Sequence, residues 1–167
     1  MPSTSVAGMR VAVTGSIATD HLMTFGGKFA DSLVVEQLDK ISLSFLADDL
    51  QIRRGGIAAN SAFGMANLGQ HPVLIGSVGK DFDDYRSWLE RHGVDCQSIH
   101  VSGKSHTARF VCTTDVDMAQ IATFYPGAMT EARGIELKQV ADRVGGIQLV
   151  LIGPNDPVAM QSHTDEC

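Results

Sequence analysis

Arg53-Arg54-Gly55-Gly56-Ile57-Ala58-Ala59-Asn60 is the stretch whose residue types could do chemistry. Two adjacent glycines allow positive φ and let a ligand approach the backbone with no Cβ in the way. A small-residue helix is expected over 57–68, and its opening N–H groups and positive dipole end would face a polar or anionic group there. Asn60, one turn further on, adds an amide with both donors and an acceptor. The same residues would equally make a tight strand-to-helix connection carrying a solvated Asn, and the local sequence leaves both readings open.

Two further positions could complement that stretch. Val11-Ala12-Val13-Thr14-Gly15 reads as a buried first strand, with Ser16 to Asp20 at its carboxyl end, the edge where open α/β sheets bind ligands. An ionised Asp20 could accept hydrogen bonds from a vicinal diol, each worth roughly 1.5–3 kcal/mol. As a turn residue it would only cap. Phe110 and Phe124 fall on the two strands of an expected hairpin and could form an apolar wall for a flat ring, or be ordinary core aromatics. Asp115 and Asp117, two apart in the hairpin turn, suit local turn hydrogen bonds better than a metal site.

The elements that must position these groups alternate in type. Val73 to Gly76 and Gln148 to Gly153 read as further buried strands, and Phe82 to His92 as a helix with Asp81 as its N-cap. Between 21 and 54 the pattern changes to short alternating pieces, with Ile41-Ser42-Leu43-Ser44-Phe45 expected as a strand of a small one-sided sheet. Met23, Phe25, Phe29 and Leu33 are expected as its core, with a dimer face as the alternative. Helical segments are expected within 127–144, and Asp156-Pro157 opens a last helix with Asp as cap and Pro at the first position. Strands within about 22–54 and 107–125 would together form a lid over an α/β layer.

Length and composition narrow the partners. A chain of 167 residues, 44% hydrophobic and 19% charged, suits one globular domain with a sizeable core. A net charge of -6 gives no basic footprint for nucleic acid or an anionic membrane, so a small molecule is the expected partner. Cys96, Cys112 and Cys167 are too far apart for a zinc knuckle and suggest reduced thiols in a cytoplasm. No membrane span is expected, and residues 1–8 read as a flexible tail. G-x-x-x-x-G-K-[ST] is absent, and G-x-x-G-x-D at 76–81 supports a dinucleotide site only weakly.

From Met9 onward the chain resembles the phosphofructokinase-B (ribokinase-like) family of sugar and nucleoside kinases. G-S-I-A-T-D at 15–20, R-R-G-G-I-A-A-N at 53–60 and G-S-V-G-K-D at 76–81 carry the match. Within the family, T-A-R-F-V-C-T-T-D-V-D-M-A-Q-I-A-T-F-Y-P-G-A-M is similar to the bacterial adenosine kinases. The resemblance implies an α/β fold of three layers, α/β/α and Rossmann-like, with a small β-sheet lid that often forms a homodimer interface. It implies that Asp20 holds the ribose hydroxyls, with Ser16, Gly56 and Asn60 near the sugar, Gly55 supplying backbone room, and Phe110 and Phe124 flanking the purine. ATP and Mg2+ are the implied cofactors, and adenosine the implied acceptor.

The family's second signature, D-T-x-G-A-G-D, and its magnesium-linked N-x-x-E are not in this sequence. Residues 9–167 are accordingly expected to be the N-terminal part of a longer kinase domain, inactive alone, with the C-terminal half and every catalytic residue elsewhere. A ribose or fructose kinase, or a truncated ligand-binding protein without catalysis, are the alternatives.

Overall fold

The computed structural model describes residues 8–33, 40 and 42–167. The expected tail, apart from Gly8, and Ile41 of the expected alternating strand lie outside the described residues. In chain order the elements are β1 (Val11–Thr14), β2 (Ala18–Thr24), α1 (Phe29–Ser32), β3 (Asp49–Gly55), α2 (Ile57–Asn67) and β4 (Val73–Val78). Then follow α3 (Asp83–Arg91), β5 (Ile99–Val101), β6 (Ala108–Thr114), β7 (Gln120–Tyr125), α4 (Leu137–Val144), β8 (Leu149–Ile152) and α5 (Pro157–Asp165). Short 3-10 turns cover Lys80–Phe82 and Gly127–Gly134. The chain divides into two compact units, the first holding the stretches up to Ala18, Gly55–Ala108 and Pro126–Cys167, the second Thr19–Arg54 and Arg109–Tyr125.

The first unit is built on a parallel sheet of order β5-β4-β1-β8. Its two inner strands are apolar runs buried at every residue, as a sheet covered on both faces requires. Alternation sorts them into two cores. Val11, Val13, Leu74 and Val78 pack with Ala58, Ala59 and Ala62 of α2 and with Tyr85 and Leu89 of α3. Ala12, Val73 and Ile75 pack on the other side with Leu137 and Val140 of α4. The three fully buried alanines let α2 lie close to the sheet. β8 is different, for it forms one edge and leaves Leu149 and Leu151 exposed.

Asp156 caps α5 as expected, accepting the Ala159 N–H at 3.1 Å with Pro157 at the first position. Burial alone would raise its pKa, but Arg133 and the Ala159 N–H outweigh burial and hold the carboxyl below its ordinary range. Asp81 does not cap α3, which starts after Phe82. Its carboxylate instead accepts both the N–H and the hydroxyl of Thr107 at 2.8 Å, while the Thr107 hydroxyl accepts the Gly79 N–H at 3.0 Å. A carboxylate offered two donors at once by Thr107 is better satisfied there than by one helix N–H.

A fully buried His163 on α5 links three elements. Its Nε2 lies 3.0 Å from the Ile135 carbonyl and its Nδ1 2.9 Å from the Thr14 hydroxyl. A carbonyl can only accept, so Nε2 carries the proton and Nδ1 accepts from Thr14. Thr14→Val keeps the shape but leaves Nδ1 buried and unpaired. It is expected to lower the unfolding free energy by about 1–3 kcal/mol, read as a lower urea midpoint at unchanged slope.

The second unit is a sheet of order β3-β2-β6-β7. β6 and β7 form the expected antiparallel hairpin, with Phe110 directly opposite Phe124. Asp115 holds its turn by accepting the N–H groups of Asp117 and Ala119, and also that of Phe29. These backbone donors, Phe29 foremost, hold its carboxyl below the ordinary range. Residues 42–45 are not the strand their alternation suggests. Alternation supplies a buried face but no ladder partner, and this segment instead delivers Phe45 to Phe25 and Phe29, with ring centroids 4.9 and 4.8 Å away. Phe29 is buried as expected, whereas Leu33 is exposed.

Candidate functional site

In the first unit the sheet's connections run from β1 toward β4 and β5, then return to the opposite side for β8. The crevice at the carboxyl ends of β1 and β8 is therefore where strand order reverses, the usual ligand position in open α/β sheets. The two strand ends are tied together there, Gly153 N–H donating to the Thr14 carbonyl at 2.7 Å and Ser16 N–H to the Pro154 carbonyl at 2.9 Å.

Gly56 sits against that same corner. It has φ 90° and ψ 132°, and a Cβ on it would meet the Ser16 carbonyl at 2.5 Å, Ile17 Cα at 2.6 Å and Ala18 N at 2.7 Å. Only glycine fits. Ser16 also takes up two of the N–H groups that open α2: its hydroxyl oxygen accepts from Ile57 at 3.0 Å and its carbonyl from Ala58 at 3.1 Å. The helix start is thus less vacant than the sequence suggests, because Ser16 caps it from the loop between β1 and β2. The Ser16 hydroxyl, having accepted, keeps its own hydrogen for donation. Asn60 is exposed on the first turn of α2.

Sequence reasoning missed Asn155 at this crevice. Its side-chain oxygen and nitrogen are both buried, and neither has a hydrogen-bond partner among the described residues. Leaving such an amide unsatisfied costs about 1–3 kcal/mol, so a polar group from outside the chain is the natural complement. The signal was present, since Gly153-Pro154-Asn155 follows an apolar strand just as Ser16 follows β1.

The remaining expected site residues belong to the second unit. Asp20 lies half-buried on β2, and burial raises its carboxyl above the ordinary range, with neighbouring His21 acting in the opposite sense. Phe110 is half-buried and Phe124 is 48% exposed, too open for a core ring. Directly opposed residues of an antiparallel pair share a face, so both rings stand on one side of the hairpin. Ser16, Gly55, Gly56 and Asn60 thus cluster in one unit, and Asp20, Phe110 and Phe124 in the other.

The described residues do not fit a magnesium site. No three His, Cys, Asp or Glu side chains among them are grouped to hold a metal ion. A groove of about 670 Å3 runs between α4 and the open edge of β8, lined by Leu137, Ala141, Leu149 and Val150. Glu136, Lys138, Gln148 and Glu166 also line it, and it lies away from the β1–β8 crevice. No helix among the described residues is long and apolar enough to cross a membrane.

A parallel sheet with helices on both faces, a Gly-Gly-opened helix at its carboxyl edge and a separate hairpin-containing sheet define a ribokinase-like α/β protein. Residues 20–166 match the pfkB family of carbohydrate kinases, and the chain belongs to that family. It is 34% identical over 105 residues to a nucleoside kinase of Methanothermobacter thermautotrophicus, covering 62% of this chain and 33% of that protein. Another, from Methanocaldococcus jannaschii, is 34% identical over 121 residues, covering 71% of this chain and 37% of the other. A Burkholderia thailandensis nucleoside kinase solved in complex with inosine superposes with a TM-score of 0.74 at 31% identity, covering 93% of this chain and 48% of that one. The chain spans about a third of the length of these curated relatives and about half of the solved kinase.

Proposed function

We propose that this chain carries the nucleoside-binding part of an ATP-dependent nucleoside kinase whose acceptor is adenosine, converted to AMP in purine salvage in the cytoplasm. The observation that carries the proposal is the Phe110–Phe124 pair, two rings side by side on one face of a hairpin, with Phe124 half in solvent. A flat base gains more from such a wall than a bare sugar does, because stacking a base on an aromatic ring contributes roughly 1–3 kcal/mol. The inosine complex of the Burkholderia kinase supports a purine nucleoside as ligand.

In this assignment the Asp20 carboxylate accepts the vicinal ribose hydroxyls. The Ser16 hydroxyl donates to the sugar, the Gly55–Gly56 backbone leaves room beside it, and the Asn60 and Asn155 amides pair with its remaining polar atoms. The complete protein would then let the nucleoside 5′-hydroxyl oxygen attack the γ-phosphorus of Mg-ATP, with ADP leaving in line and the hydroxyl proton passing to a base. The described residues offer no metal cluster for that step. Lid-to-lid pairing into a homodimer is supported by the exposed edge strand β7, which shows Ile121 and Tyr125 to solvent.

Phe124→Ala tests the assignment. Calorimetry should show adenosine and inosine binding about 5- to 150-fold more weakly, with ribose affinity unchanged. Equal adenosine affinity in both proteins would remove the nucleoside reading, and wild-type preference for ribose would favour the sugar kinase.

A further inference from the structure

We infer that Tyr85 is a positioning residue, whose hydroxyl fixes the direction of the Gly55–Gly56 peptide and thereby sets nucleoside affinity. The inference rests on the nucleoside reading for its affinity effect and on geometry alone for its structural one. Tyr85 belongs to α3 and is buried, with its ring 5.3 Å from Phe82 and 6.0 Å from Trp88. Its hydroxyl donates to the Gly55 carbonyl at 3.1 Å, thirty positions back in the chain.

That carbonyl is one end of a peptide whose other end is the Gly56 N–H. The group is planar and trans, so holding the oxygen toward Tyr85 aims the Gly56 N–H the opposite way. Nothing intrinsic to the sequence does this. A peptide between two glycines can rotate through conformations barred to other residues, because neither neighbour has a Cβ. β3 ends at Gly55 and α2 begins at Ile57, so this one peptide is the joint between them. A donor on its carbonyl also polarises the peptide and makes its N–H a stronger donor. The ring's packing against Phe82 and Trp88 could be supplied by phenylalanine, but the bond to Gly55 could not.

Tyr85→Phe in the full chain separates the two roles. Adenosine and inosine Kd should rise about 3- to 10-fold, the scale of one lost hydrogen bond. Amide hydrogen exchange at Gly56, Ile57 and Ala58 should quicken. Val140→Ala, in the core layer on the other side of the sheet, serves as the control that lowers Tm without touching the turn. It should leave both Kd values and those amides unchanged. If Tyr85→Phe lowers Tm but shifts Kd no more than Val140→Ala does, Tyr85 is only structural and the inference falls. If the wild-type chain binds neither nucleoside, the functional proposal fails instead. In that event unchanged exchange at the three amides overturns the positioning role, and faster exchange upholds it.

Discussion

Gly56→Ala is expected to abolish nucleoside binding, with Kd raised at least about 100-fold, while the chain stays folded. Two costs combine. An alanine at φ 90° pays roughly 1–2 kcal/mol for a left-handed backbone. Its Cβ would also overlap three main-chain positions, the Ser16 carbonyl, Ile17 Cα and Ala18 N. Main-chain atoms cannot turn aside as a side-chain tip can, so residues 16–18 or the start of α2 must shift. Either shift breaks the Ser16 bonds to Ile57 and Ala58 and misplaces Ser16 and Asn60 together. Calorimetry with adenosine and a thermal melt check this. Gly64→Ala, with open space around its Cβ, is the control expected to bind normally. Wild-type affinity in Gly56→Ala would show that the corner gives way and does not position ligand.

Asp20→Asn is the second large loss, about 10- to 150-fold in nucleoside affinity, because a charge-assisted hydrogen bond contributes roughly 1.5–3 kcal/mol. The pH profile distinguishes a carboxylate at work from a structural Asp. Burial raises the Asp20 pKa, so the folded chain takes up this proton at a higher pH than the unfolded chain does. On the proposed assignment, the carboxylate is lost to the ribose hydroxyls as pH falls through that raised value, and affinity should drop over a range where an ordinary Asp would still be ionised. Ionising the same group weakens the fold slightly as pH rises through the window between the two values. Calorimetry from pH 4 to 8 should give a falling acid limb for the wild type and a flat profile for Asp20→Asn. Parallel profiles would remove Asp20 from the ribose.

Much of the fold was legible in residue order. Val11–Thr14 and Val73–Val78 announce buried strands because both faces of a parallel sheet select the same apolar side chains, whereas Leu149–Ile152 is a strand as expected but lies half-open at the edge. The hairpin was legible because Asp115 does locally what turn chemistry asks of it. The failures share a cause, since each depends on a partner far away in the chain. Asp81 has the right type and place to cap α3, yet Thr107 competes for it with two donors. Residues 42–45 alternate correctly but serve the Phe25 and Phe29 rings. Tyr85 reaches a single carbonyl thirty positions away and leaves no pattern in its own neighbourhood, whereas the unpaired amide of Asn155 was signalled only by its place after an apolar strand. For the candidate site, the Gly55–Gly56 pair and the opposed phenylalanines were readable, whereas the capping of α2 by Ser16 was not.

The strand order β5-β4-β1-β8 also dictates a schedule. β1 is an inner strand, whose Val11 waits for Leu149 and whose Ala12 waits for Val73. On a ribosome adding roughly 5–20 residues per second, β1 has one flank covered once β4 emerges, then keeps the other bare for several seconds until β8 follows. Through that interval an apolar strand with unpaired N–H and C=O groups is open to any other chain nearby. The nascent chain is therefore open to mispairing at β1, and a chaperone that shields β1 would guard the step on which the crevice between β1 and β8 depends.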